Sequence, residues 1–338
     1  AGEYVVAYPE LTIGSNKATR VKVIYAECYV KKNNSGTIIK NDRTDCCGML
    51  EEKAFDYVHS GCERVVFKPF WFRSFRYIRI EWEEAEPKIE SLVYQRTGYP
   101  LEDECEFECS DDTYNKLWKV GLNTLRCCAS DILVDCPFYE QQQYNMDFGL
   151  EMIYWFRITS DSRLIKKCLY DLASGQTASG LMPANFPSRN IQIIPNFSFY
   201  FIFAVTNYLK YTDDVDTAKE LAGTVDKVLS YFENMLTDKG VVGVCGYWAY
   251  VDWSDGWKDG VPTNANKEPV AVASMMYSAA LMAAEYINNR MGRKQQAAVY
   301  GRLRCKLNEN IIGCCYDEDR GLFKDTLNTQ EYIQHTVV

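Results

Sequence analysis

The hydrophobic period of this chain changes once, near residue 105, and that change limits what each part can become. Before it, Arg20-Val21-Lys22-Val23-Ile24-Tyr25-Ala26-Glu27 and Arg76-Tyr77-Ile78-Arg79-Ile80-Glu81-Trp82 alternate polar and apolar residues, the period-2 pattern of half-buried strands. Turn residues at Gly14-Ser15-Asn16, Asn33-Asn34-Ser35-Gly36 and Glu86-Pro87 punctuate these runs, as short antiparallel strands require. Residues 1–104 therefore read as an antiparallel β-sandwich, jelly-roll-like. After Cys109 the apolar positions Tyr114, Leu117, Trp118, Gly121, Leu122 and Leu125 recur at steps of three and four, a helical spacing that Ser110 is placed to cap. Further helices are expected at 140–159, 162–174, 196–211, 214–236, 266–290 and 293–310, with another beginning near Gln330. Two long loops, 175–195 and 240–266, hold many of the Gly, Pro, Asn and Trp residues. Residues 105–338 thus form a second, helical domain whose loops are where a site would be built.

Length agrees with two domains, since 338 residues exceed the roughly 250–300 that one core serves. A net charge of −9 offers no basic face for a phosphate backbone, which argues against nucleic-acid partners. No apolar run reaches the roughly 18 residues that would suggest a membrane span, and the N-terminus lacks the order of a signal peptide. Because the chain opens at Ala1, the compartment stays open. The 14 cysteines include three adjacent pairs, Cys46-Cys47, Cys127-Cys128 and Cys314-Cys315, but no CxxC, and only His59 and His335 accompany them. That spacing supplies no structural zinc site; buried free thiols are the expectation, and such unpatterned cysteines tilt the open question of compartment toward the cytoplasm. No metal or other cofactor is expected.

Chemistry concentrates in Asp135-Cys136-Pro137-Phe138-Tyr139-Glu140-Gln141-Gln142-Gln143-Tyr144-Asn145-Met146-Asp147. Asp135, Glu140 and Asp147 fall on a loop and the first two turns of the expected helix, with Glu140 and Asp147 on one face. Neighbouring carboxylates raise one another's pKa, and a carboxyl so raised can donate a proton at neutral pH. The plainer reading is capping, because acidic residues favour helix N-termini. Aromatic content of 14 %, with 24 Tyr and 7 Trp, suits stacking on sugar rings and equally fills ordinary cores.

This segment resembles the motif of the family 78 glycoside hydrolases, the α-L-rhamnosidases, commonly Asp-Cys-Pro-Gln-Arg-Asp-Glu-Arg-x-Gly-Trp-x-Gly-Asp. The run here is one residue tighter. Allowing one gap aligns Glu140 with the family's general acid, and Asp135 and Asp147 with its sugar-binding acids; without the gap Gln141 takes the acid position. Downstream, Tyr247-Trp248-Ala249-Tyr250-Val251-Asp252-Trp253-Ser254-Asp255-Gly256-Trp257 resembles the family's Asp-Trp segment, which implies that Asp252, Trp253 and Trp257 line the sugar pocket. Buried packing is the alternative for these tryptophans. The run Pro69-Phe70-Trp71-Phe72-Arg73-Ser74-Phe75-Arg76-Tyr77 resembles the last strands before the family's barrel.

The resemblance implies an antiparallel β-sandwich followed by an (α/α)6 barrel, incomplete here, since seven or eight of twelve helices are counted. It implies an inverting hydrolase releasing terminal α-L-rhamnose from a rhamnose-containing oligosaccharide or glycoside. Its general base, a Glu late in the barrel, has no match in this chain. A non-catalytic carbohydrate-binding protein, or a glycosidase or lyase for another sugar on the same barrel, are the competing readings.

Overall fold

The computed structural model describes residues 1–333. Its strands and helices run in the order β1 (Val5–Gly14), β2 (Ala18–Ala26), β3 (Tyr29–Lys32), β4 (Ile38–Lys40), β5 (Met49–Leu50), β6 (Ala54–Gly61), β7 (Arg64–Phe67), β8 (Arg73–Phe75), β9 (Tyr77–Trp82), β10 (Lys88–Arg96), α1 (Asp112–Cys128), α2 (Asn145–Trp155), α3 (Arg163–Ser174), α4 (Phe197–Thr212), α5 (Val215–Asn234), α6 (Ala271–Arg290), α7 (Lys294–Cys315), β11 (Tyr316–Asp317) and β12 (Leu322–Phe323). The chain divides into two compact units. The first comprises Ala1–Leu101, Phe107–Asp131 and Cys136–Gln141; the second comprises Glu102–Glu106, Ile132–Asp135 and the described residues from Gln142 onward.

In the first unit β1 is flanked by β10 and β7 and also pairs with β8, while β2 lies between β6 and β9; β3 joins β4 and β5 in a small third sheet. All these pairings are antiparallel. Alternate side chains of β1 (Val5, Ala7, Leu11, Ile13) and β2 (Val21, Val23, Tyr25) meet Val58 and Phe75 in one core. The period-2 pattern becomes structure in this way, because successive residues of a strand point to opposite faces. Helix α1 belongs to this unit. Its cap is Asp111, which accepts from the Thr113 amide, in place of Ser110. Only Leu125 and Cys128 of α1 are buried; Tyr114 and Leu117 of the expected apolar stripe stay largely exposed.

The second unit is helical and is organised around α4. Apolar on nearly every side, α4 buries Phe197, Phe199, Phe201, Ile202, Val205, Tyr208 and Leu209, as a helix surrounded by others does. Phe199 stacks at 4.1 Å from Phe232 of α5 and 6.1 Å from Tyr277 of α6. Helix α5 begins at Asp214, whose carboxylate accepts from the Thr217 amide and hydroxyl, the Tyr208 hydroxyl and the Lys166 ammonium.

Helices α3, α4 and α5 lie within two residues of the expected bounds, but α2 ends at Trp155 rather than 159 and α7 runs to Cys315 rather than 310. Helix α6 starts at Ala271 rather than 266, because 263–267 form a turn and Val270 pairs with Thr326. The helix expected over 140–159 starts at Asn145, because the preceding residues are committed to other partners, described below. The helix expected from Gln330 is absent over Gln330–Ile333, which is irregular; there the Ile333 amide donates to Asp325 Oδ1 at 2.9 Å. The rest of that expected helix, and His335, lie outside the described residues. Of the fourteen cysteines only Cys28, Cys128, Cys168 and Cys315 are buried, fewer than expected. Burial pushes the Cys168 and Cys315 thiols up to about 12, so both remain protonated and inert. No helix among the described residues is long and apolar enough to cross a membrane.

Candidate functional site

The residues singled out from the sequence are positioned by a set of hydrogen bonds around the start of α2. Asp135 and Gln142 bond reciprocally: the Asp135 amide donates to Gln142 O at 3.0 Å, and the Gln142 amide to Asp135 Oδ1 at 2.9 Å. Between them Pro137–Glu140 form a turn, closed by the Gln141 amide donating to Cys136 O at 3.1 Å. Glu140 is therefore an exposed turn residue and does not share a helical face with Asp147. The next three residues are used in pairing. The Asn145 amide donates to Ala184 O at 2.9 Å and the Phe186 amide to Gln143 O at 3.1 Å. Asn145 Nδ2 donates to Pro183 O, Gln143 Nε2 to Phe186 O, and Asn185 Nδ2 to Gln142 Oε1. The amide nitrogens of Gln143 and Asn145 tie the loop to backbone carbonyls, while the buried oxygens Gln143 Oε1, Asn145 Oδ1 and Asn185 Oδ1 have no hydrogen-bond partner among the described residues. The helix begins at Asn145, the last of the three pairing residues, which leaves Asp147 in its first turn.

The second predicted segment comes to the same place. Tyr250 packs with Ala184, Ile194 and Phe197, and Tyr144, Met146, Tyr200 and Trp248 pack against that cluster. Its carbonyl accepts from Asn196 Nδ2 at 3.0 Å. Gly260, at φ +69°, allows this close seating: a Cβ there would lie 2.5 Å from the Tyr250 ring. The Tyr250 hydroxyl donates to Asp252 Oδ1 at 3.4 Å, and the Trp253 amide to the same oxygen at 2.7 Å. Trp253 packs its ring 5.4 Å from Tyr250 and 6.3 Å from Trp248, yet remains 66 % exposed.

The charges of Asp147 and Asp252 are both felt at Tyr200 and Tyr250. Burial raises the Tyr200 phenol above its ordinary value, and the charges of Asp252 and Asp147 raise it further. Tyr250 is pushed up to about 12 by burial, by the charge and hydrogen bond of Asp252, and by the charge of Asp147. Two carboxylates distant in sequence thus act on the same two rings. Both phenols stay neutral donors at physiological pH. Carboxylates that accept from hydroxyls, phenols that donate, and an exposed indole face are the groups that hold a sugar ring.

Trp257 differs from Trp253. It is 5 % exposed, and its indole N–H donates to Asp325 Oδ2 at 3.0 Å, so it packs beneath the loop. Sequence reasoning missed Tyr200, Tyr250, Trp248 and Asp325. Trp248 and Tyr250 lay inside the quoted segment; Tyr200 carried no signal beyond its place on an apolar helix.

Comparison with known proteins follows this geometry. The family model described as the bacterial alpha-L-rhamnosidase 6 hairpin glycosidase domain matches residues 102–334. The chain is 22 % identical over 141 residues to an alpha-L-rhamnosidase of Formosa agariphila, covering 41 % of this chain and 14 % of that protein. Its fold superposes on a family 78 rhamnosidase of Bacillus sp. GL1 with TM-score 0.84 and 21 % identity, over 96 % of this chain and 32 % of that one. It superposes on a rhamnosidase from Klebsiella oxytoca, solved with rhamnose bound, with TM-score 0.77 and 17 % identity, over 99 % and 65 %. These likenesses define a mixed β and α fold of the glycoside hydrolase class. The chain belongs to the bacterial alpha-L-rhamnosidase six-hairpin glycosidase family. It spans about a third of the Bacillus enzyme's length.

Proposed function

We propose that this chain is part of an inverting α-L-rhamnosidase that releases terminal rhamnose from an oligosaccharide or glycoside. The reading takes residues 1–104 as a β-sandwich and residues 105–338 as the N-terminal part of an (α/α)6 barrel. The observation that carries it is the cluster in which Tyr200 and Trp248 pack against Tyr250 and the Tyr250 hydroxyl donates to Asp252, beside the exposed Trp253. In this reading Asp135, Asp147 and Asp252 accept from ring hydroxyls and Trp253 stacks on the sugar, with Trp257 supporting the loop from below. Glu140, on an exposed turn that leaves it open to a ligand, is the general acid. It protonates the glycosidic oxygen as the bond breaks, while a second carboxylate about 6.5–9.5 Å from it activates water on the opposite face.

Replacing Glu140 by Gln keeps the shape and removes the proton. In the full-length protein Glu140→Gln should lower kcat on a rhamnoside with an unactivated leaving group by about 10²–10⁴-fold. Hydrolysis at the parent rate would refute the assignment of the acid. Binding of rhamnose with no turnover by the parent would instead support a carbohydrate-binding role, and the anomer first released, read by NMR, decides inversion.

A further inference from the structure

The loop that carries Asp252 and Trp253 is held at two places, and the second involves residues far along the chain. At its base the Val251 amide donates to Gly260 O at 2.9 Å, and Trp248 Nε1 to Asp259 O at 3.2 Å. These bonds close the excursion 251–260 but do not by themselves stop its far end from swinging about the base. At that end the chain bends, the Trp257 amide donating to Ser254 O at 3.0 Å, and Trp257 turns inward. There its indole N–H meets Asp325 Oδ2 at 3.0 Å.

Asp325 is fully buried and is itself fixed. Its second carboxylate oxygen, Oδ1, accepts from the Ile333 amide at 2.9 Å. Its own amide donates to Glu331 O at 2.9 Å, and its carbonyl accepts from the amide of Ala271, the first residue of α6, at 3.0 Å. Beside it Thr326 pairs with Val270, and the Glu268 carboxylate accepts from the Thr326 hydroxyl and from the amide and side chain of Asn328. Ile333 lies against the loop, since a Cβ on Gly256 would come 2.7 Å from its Cδ1. The stretch 325–333 is thus fastened to the start of α6 and meets the loop at Gly256 and Trp257. Two N–H donors face the two oxygens of Asp325, so both oxygens must accept. A carboxylate does this; an amide offers one accepting oxygen and sets its NH2 against the other donor. Burial makes that mismatch costly, because a donor left unpaired there keeps its desolvation penalty.

We infer that Asp325 is a positioning residue: through Trp257 it fixes the loop that presents Asp252 and Trp253 to the sugar. The inference rests on the reading of those two residues as sugar-binding. Asp325 touches no substrate in this scheme, and its influence passes through the Trp257 indole. An Asp252 displaced with the loop forfeits one charge-assisted hydrogen bond to a ring hydroxyl, about tenfold in affinity.

The test measures KM, kcat and rhamnose Kd for full-length parent, Asp325→Asn and Trp257→Phe, with p-nitrophenyl α-L-rhamnoside as substrate. The two variants cut one bond from opposite ends, and Trp257→Phe decides alone if Asp325→Asn does not fold. In each, KM and Kd should rise about tenfold with kcat little changed, since the lost contact serves bound substrate and transition state alike. A purely structural role reads differently, because molecules that unfold lower the rate at saturation and leave KM where it was. Unchanged KM and Kd, with or without a fall in kcat, therefore overturn the inference, as does a rise confined to Asp325→Asn. The double variant should be no worse than the weaker single one; rises that multiply would show that the two residues act separately, and overturn it. A parent that neither hydrolyses the rhamnoside nor binds rhamnose refutes the proposed function instead. Amide hydrogen exchange then decides whether Asp325 fixes the loop. Faster exchange over 252–257 in both variants, with 144–148 and α4 unchanged, upholds it; unaltered exchange there, or a uniform acceleration, overturns it.

Discussion

Asp214 lets a structural contribution be predicted with both size and pH dependence. Its carboxylate caps α5 through the Thr217 amide at 3.0 Å, and also accepts from the Thr217 hydroxyl at 2.6 Å, the Tyr208 hydroxyl at 3.0 Å and Lys166 at 3.0 Å. Burial alone would raise its pKa; the bonds from Thr217, Lys166 and Tyr208 outweigh burial and hold it well below the ordinary carboxylate range. Replacement by Ala removes a helix cap, costing about 0.5–2 kcal/mol. It also strips the acceptor from the hydroxyl of Tyr208, which is 1 % exposed, at about 1–3 kcal/mol for an unsatisfied buried group. Together these suggest roughly 3 kcal/mol, or about 6–12 °C in Tm for a unit of this size. A depressed folded-state pKa contributes stability that is present above the unfolded carboxylate value of about 4 and is lost as pH falls through the folded value. The gap between parent and Asp214→Ala should therefore be full at pH 7 and narrow steadily below about pH 4. Asp214→Asn, which still offers a capping oxygen, should keep part of the stability but lose the pH dependence. Thermal melts of the three proteins between pH 3 and 7 read this directly. A gap below about 1 kcal/mol, or one that does not change with pH, would show that Asp214 is neither the cap nor the charge centre described.

Gly260→Ala must place a Cβ 2.5 Å from the Tyr250 ring at a backbone angle of +69°; it should cost roughly 2–4 kcal/mol and weaken sugar binding as Tyr250 shifts, both measurable by thermal melt and rhamnose titration. An unchanged Tm would mean that the loop is not held as described. Trp257→Phe withdraws a donor from the fully buried Asp325 and should lower stability by about 2–3 kcal/mol. If instead it leaves stability intact and abolishes sugar binding, Trp257 faces the ligand after all.

The coarse plan of the molecule was legible because it depends on side-chain period. Residues 20–27 and 76–82 alternate and form β2 and β9; the apolar steps of 163–174 and 197–212 become α3 and α4. Local pattern failed where distant partners decided the outcome. Nothing near residue 140 shows that Gln143 and Asn145 will spend their amides on residues 183–186, so the start of α2 was placed too early. Helix α1 has the right period, but its stripe is largely uncovered by the described residues, and period alone does not reveal what a face meets. At the candidate site, Asp147 and Asp252 were named from the resemblance. Tyr200 was not, since an isolated Tyr on a hydrophobic helix looks the same whether it packs or points at a ligand.

The reciprocal bonds of Asp135 and Gln142 also bear on how such a sequence could change. They fasten the two ends of a short excursion to each other, so its contour length is insulated from the register of everything outside it. An insertion or deletion within 136–141 can be absorbed as a larger or smaller bight, while Asp147 downstream keeps its place. A run one residue shorter than the family motif it resembles is the kind of indel that this tether tolerates, and it makes the turn that carries Glu140 the most freely re-tailored part of this segment.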